Sequence, residues 1–198
     1  MRRASWIGIG LLALSAALGW SEGETARQDD PRFTATGQVA LPQDYREWVY
    51  LSSGLGMTYG SATSSDSEHA SFDNVFVTRN AYQSFRETGV WPDKTMLILE
   101  TRSSHTKGSI NHGGRYQGDV LAVEGEIKDE SRREGKWTFI GFDLKKGSGT
   151  PFPRTAACYS CHAQHGAVDN TFVQFYPTLL PVAQKKGTLK PGALTAKP

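Results

Sequence analysis

Five residues near the C-terminal end carry the densest chemistry of this chain: Cys158-Tyr-Ser-Cys161-His162. The spacing C-x-x-C-H is that of covalent c-type haem attachment. Two thiols so placed can add to the two vinyl groups of one porphyrin, and the histidine that follows them then lies under the iron as its axial ligand. Cys158 and Cys161 are the only cysteines in the sequence, so the reading is one covalently attached haem c, held by Cys158 and Cys161 with His162 on the metal. Three alternatives use the same residues. A redox dithiol belongs after a strand in a βαβ unit, which the sequence ahead of Cys158 does not offer. A structural zinc site needs four ligands, and His165 is the one further donor nearby. An exported chain can also close the pair as a disulfide.

The iron's second axial position decides what such a haem does. Electron carriers usually hold iron between two strong protein ligands, often His and Met. No methionine follows His162; Met57 falls in a loop and Met96 inside a strand. His69, His105, His112 and His165 read as loop or surface residues, and His165 is too near His162 to reach the opposite haem face. The expectation is an open, five-coordinate haem that binds small molecules such as NO, CO or hydroxylamine.

The N-terminus suits export. Arg2 and Arg3 precede the apolar run Trp6 to Leu18, and Ala17-Leu-Gly19 offers small residues for cleavage. Residues 1–19 therefore read as a signal peptide and the protein as periplasmic, with no stable membrane insertion after cleavage. Residues 20–32 read as disordered, 33–186 as one domain, and 187–198 as a flexible Gly/Pro/Lys/Ala tail. The formal charge is +2, and basic residues occur only as short pairs such as Arg132-Arg133, which points to no nucleic-acid partner.

The elements that must position the motif alternate along the domain. Residues 43–50 read as a short helix with Tyr45, Trp48 and Val49 on one face. Gly54 to Ser71 reads as a long loop. Phe72–Val77, Thr95–Thr101, Asp119–Ile127 and Trp137–Leu144 read as strands, with an excursion over 103–118. Asn80–Thr88 reads as a helix burying Tyr82 and Phe85 and stopped by Gly89. Gly147–Pro153 reads as a link, followed by a short helix from Thr155 that carries the motif. Asp169 is placed to cap a last helical segment interrupted by Pro177 and Pro181. The fold class expected is α+β: an antiparallel sheet of about four to five strands, flanking helices and a C-terminal haem-attachment helix.

Several segments together resemble the cytochrome P-460 family: Leu41-Pro-Gln-Asp-Tyr-Arg-Glu-Trp48, Asn74-Val-Phe-Val77, the Tyr82 helix ending in Thr88-Gly89, and Pro92-Asp93 before an apolar strand. Val123 to Asp129, Gly135-Lys-Trp-Thr-Phe139, and the haem motif followed by Asp169 and Thr171-Phe-Val-Gln-Phe-Tyr-Pro177 extend the resemblance. It implies a β-rich c-type cytochrome, a homodimer, related to the gas-binding cytochrome c-prime-beta. Family members that oxidise hydroxylamine bond a lysine of the strand after Pro-Asp to the haem. The matching residue here is Leu99, which has no nucleophilic nitrogen. An arginine that the family carries near the first strand is absent from Phe72-Asp73-Asn74.

If the family orientation holds, Leu99 faces the haem and makes an apolar distal wall, completed by Phe72, Phe76 and Phe152 as candidates. Trp137 and Phe139 read as sheet core, and Glu100 as a strand-face carboxylate paired with Arg102 or solvent. The expected function is small-ligand binding at an open haem, of NO or a similar diatomic or nitrogenous molecule. The alternatives are oxidation of hydroxylamine or NO without the lysine cross-link, and electron transfer to a partner that the sequence leaves unnamed.

Overall fold

A computed structural model describes residues 30–57, 70–108, 110, 112–132 and 137–194. The expected signal peptide, most of the N-terminal disordered segment, His69 and Gly135-Lys136 lie outside the described residues. So do the last four residues of the tail.

Among the described residues, seven strands form one antiparallel sheet in the order β1-β7-β6-β5-β4-β3-β2. They are β1 (Val39–Ala40), β2 (Val49–Leu55), β3 (Phe72–Val77), β4 (Met96–His105), β5 (Tyr116–Lys128), β6 (Trp137–Asp143) and β7 (Ser148–Pro151). The helices are α1 (Arg79–Thr88), α2 (Ala157–His165) and α3 (Leu180–Lys186). The α+β class stands, but the sheet is larger than the four to five strands expected. The expected helix over 43–50 is instead a single 3-10 turn, Tyr45–Glu47, followed at once by β2. The supposed Gly/Pro link contains β7, and β4 and β5 run as a long hairpin to the pair His105–Tyr116, where an excursion was expected.

Side chains alternate across a strand, so each strand feeds both faces of the sheet. The first face carries Leu51, Val77, Leu97, Trp137 and Phe139, which pack with Ala81 and Phe85 of α1, Trp91, Val173, Tyr176, Leu179 and Ala183. The second carries Met96, Ile98, Val123, Ile127, Ile140 and Phe142 and is covered by the N-terminal segment through Phe33, Val39, Leu41, Tyr45 and Trp48. Helix α1 ends as expected at Gly89, whose φ of 80° is the left-handed conformation that glycine adopts without strain. Just after α3, in a stretch expected to fray, Thr188 and Lys190 are docked. Thr188 Oγ1 donates to Gly89 O at 2.7 Å and Lys190 N to Ala167 O at 2.8 Å. No helix among the described residues is long and apolar enough to cross a membrane.

Candidate functional site

Helix α2 carries Cys158, Cys161 and His162. Residues three and four apart lie on one face of a helix, so both thiols and the imidazole project together. They project into a cavity of about 340 Å³ whose opposite wall is the first face of the sheet. Leu97 and Leu99 of β4, Val75 of β3 and Phe139 of β6 line that wall, with Phe152, Phe172 and Tyr176 around the rim. Both thiols are free, and burial pushes that of Cys158 up from its ordinary pKa.

The His162 ring is fixed from three directions. Phe139 and Phe172 flank it at 4.4 and 4.3 Å between ring centres. Its Nδ1 lies 2.9 Å from Asn170 O, so the Nδ1 proton has a carbonyl acceptor and Nε2 keeps its lone pair free for a metal. Burial lowers the imidazole pKa against the raising effect of that carbonyl, which favours the neutral, ligating form. Phe139, expected only as sheet core, is thus a wall of the site; Tyr159 of α2 packs edge-on against it at 4.8 Å.

The remaining expected wall residues divide. Leu99 and Phe152 line the cavity. Phe152 fits because Gly141 has no side chain: a Cβ there would stand 2.9 Å from the Phe152 ring. Phe76 does not line the cavity. It lies on the second face, edge-on to Tyr45 at 5.8 Å and to Tyr50 at 5.9 Å. Phe72 shares its parity, and the cavity positions of β3 are Asp73 and Val75 instead. Of the alternative iron ligands, Met57 does reach the cavity lining. His105 stacks on Tyr116 at the far end of the β4–β5 hairpin, and His112 and His165 are exposed. Glu100 is buried on the second face, hydrogen-bonded by Tyr45, Arg46 and Arg102.

The expected apolar wall is corrected in one further respect: it carries carboxyl groups. Asp73, Glu124 and Glu126 all line the cavity. Leu99 sits between Val75 and Glu124 in the sheet register, and Leu97 is opposite Glu126. Burial, then the charge of Glu124, pushes the Glu126 carboxyl up to about 8. Glu124 is raised by burial and then by Asp73, and Asp73 by burial against a Thr101 hydrogen bond. The Glu126 side chain is 19% exposed, yet its Oε2 is buried without a hydrogen-bond partner, 3.6 Å from His162 Nδ1. In the sequence these acids alternate with Val123, Gly125 and Ile127, a pattern that ordinarily marks a solvent face.

The residues present fit a haem. Two unpaired thiols and a neutral imidazole share one helix face, the walls are aromatic and aliphatic, and a buried carboxyl oxygen lacks a partner inside the cavity. Among the described residues, no group of three or more His, Cys, Asp or Glu is arranged to hold a metal ion by itself. The Cytochrome P460 family profile matches residues 42–173, two thirds of the chain. No curated protein matches the sequence.

Proposed function

Since the chain belongs to the cytochrome P460 family, which implies a haem cofactor, we propose that it is an exported mono-haem c-type cytochrome whose open distal face binds small nitrogenous or diatomic ligands such as NO. The observation that carries this reading is the shared face of α2: Cys158, Cys161 and His162 together line a cavity closed opposite by Leu99 and Glu124. Cys158 and Cys161 would hold the porphyrin, and His162 would be the axial ligand. When bound, haem supplies an iron that takes a small ligand and exchanges one electron. Leu97, Leu99, Val75 and Phe152 exclude water, and the stacked rings of Phe139 and Phe172 orient the imidazole.

The test is expression with the full leader in a host competent for haem ligation. Mass spectrometry should give the processed polypeptide plus one haem, and the ferrous form should be high-spin and shift on adding CO. A polypeptide without added mass refutes haem attachment, and a low-spin ferrous spectrum indifferent to CO refutes the open site.

A second reading, oxidation of hydroxylamine or NO, is favoured by the acids of the wall. Oxidising hydroxylamine removes protons with the electrons, and Glu124, paired with Leu99 in the sheet, is the carboxyl of the wall that could take them. Hydroxylamine turnover with an artificial electron acceptor, lost in Glu124→Gln, supports this reading; consumption no faster than by free haem removes it.

A further inference from the structure

Resting on the haem reading, we propose that the part-buried Lys128–Asp169 ion pair is a positioning device that sets how strongly His162 donates to iron. Lys128, at the end of β5, is 6% exposed. Its Nζ donates to Trp91 O at 2.6 Å and to Asp169 Oδ2 at 2.7 Å. Asp169 is followed by Asn170, the residue whose carbonyl oxygen accepts from His162 Nδ1. Lys190 holds the same turn from the other side, with Nζ 3.0 Å from Asn170 Oδ1 and 3.1 Å from Ala163 O.

The turn closes on itself: Thr171 N donates to Val168 O at 2.9 Å, with Asp169 and Asn170 at its two central positions. Asp169 and Asn170 both have positive φ, 47° and 66°. Left-handed backbone is unfavourable for an L-residue, least so for Asp and Asn. Positive φ at both central positions is the type I′ turn, which Asp and Asn favour, so what the two lysines fix is where the turn stands against α2. An ion pair that buries its lysine is a poor device for stability alone, since well-packed apolar residues of similar volume often do as well. Here its direction has a use: it draws Asp169 toward β5 and so keeps the Asn170 carbonyl against the imidazole. The partner of the non-ligating ring nitrogen fixes the tautomer and raises the basicity of the ligating one. Loosening the turn weakens that hydrogen bond, lowers donation to iron and disfavours the ferric state.

The test uses the haem-bearing full chain in a Glu126→Gln background, so that the ring has no carboxylate to turn to. The readouts are the ferrous Fe–His stretching frequency by resonance Raman and the midpoint potential. In Lys128→Met we expect the frequency to fall and the ferric/ferrous preference to change about tenfold, a rise of about 59 mV. Asp169→Asn should shift both in the same direction by less, because Lys128 keeps a neutral acceptor. That variant also decides the matter if Lys128→Met does not fold: Asp169 is 30% exposed, and Asn tolerates its backbone conformation. Lys94→Met, which breaks the neighbouring Lys94–Asp129 pair, should move neither readout. Haem-bearing Asp169→Asn with unchanged frequency and potential overturns the clamp while leaving the haem reading intact, as does an equal shift in Lys94→Met. A parent protein without haem refutes both.

Discussion

Gly166, the residue after α2, separates two physical arguments that predict opposite signs. Its φ of −64° is ordinary for any residue. Chain entropy alone therefore makes Gly166→Ala stabilising by about 0.4–1 kcal/mol. Packing says otherwise. A Cβ at this position would stand 2.6 Å from Asn170 C, 2.7 Å from His162 O and 2.8 Å from Asn170 Cα. All three are backbone atoms, so no side-chain rotation relieves them. Reaching ordinary contact at 3.4 Å moves the Asn170 turn by about 0.8 Å relative to α2. The bond from His162 Nδ1 to Asn170 O starts at 2.9 Å, and such a movement takes it beyond the hydrogen-bonding range. Overpacking costs about 1–3 kcal/mol and the lost bond about 1 kcal/mol; less the chain-entropy gain of about 0.4–1 kcal/mol, the net destabilisation is about 1–4 kcal/mol. For a domain of this size that is a fall in Tm of about 2–16 °C. Thermal unfolding of the haem-bearing protein, followed by far-UV circular dichroism at neutral pH, measures it. A Tm unchanged or raised would show that the turn absorbs the methyl group, and the claim of close backbone packing around His162 would be wrong.

Two further outcomes follow from other parts of the fold. Burial alone would raise Glu100, but hydrogen bonds from Arg102, Tyr45 and Arg46 hold it below the usual carboxylate range. A depressed folded-state pKa contributes stability that is present above the unfolded value and lost as pH falls through the folded one. Glu100→Gln should therefore cost about 2–4 kcal/mol at pH 7 and progressively less in acid, with urea midpoints that converge toward the parent's at the lowest pH; a gap independent of pH would contradict this assignment. Trp91 is fully buried and its Nε1 donates to Thr171 Oγ1 at 2.7 Å, joining β4's approach to the segment after α2. Trp91→Phe should lower the urea midpoint by the equivalent of about 2–3 kcal/mol without changing the m-value, and a midpoint shift under half of that would mean that the bond contributes little.

How far the sequence reveals this arrangement depends on which physical signal each part carries. Helix α1 is legible because Tyr82 and Phe85 sit at helical spacing before a left-handed glycine. The apolar centres of β4 and β6 announce central strands. In contrast, β2 carries a bulge between Tyr50 and Ser52, which breaks the alternation that would identify it. Strand β7, Ser148-Gly-Thr-Pro151, has turn composition. It is a strand because Gly149 lets the backbone of β6 approach: a Cβ there would stand 2.4 Å from Gly141 O. Pro151 is tolerated because β1 pairs only with Ser148 and Gly149, so that end of β7 has one neighbour. The thiols and imidazole of the site are legible from spacing alone. The acids are not, since Asp73, Glu124 and Glu126 look like a solvated strand face until the register shows them opposite α2.

The register that sets this wall is held from behind it. Leu99 and Glu100 are adjacent in β4 and therefore serve opposite faces, one in the cavity and one beneath the N-terminal segment. A slip of one residue would exchange them, because side-chain period in a strand is two. Glu100 would then enter the cavity, and the Tyr45 hydroxyl, pushed up to about 12 by burial and by its bond to Glu100, would be left buried without an acceptor. An unmet buried donor costs about 1–3 kcal/mol, whereas Arg46, more than half exposed, would find water. The buried arm of the network thus discriminates against the slip more than its charged partner does. It makes Tyr45, on the far side of the sheet, a determinant of which residue meets the haem. An apolar residue in place of Tyr45 would keep the packing but remove that penalty. The position of Leu99 opposite α2 would then depend on the hydrophobic alternation of Met96, Ile98 and their partners alone.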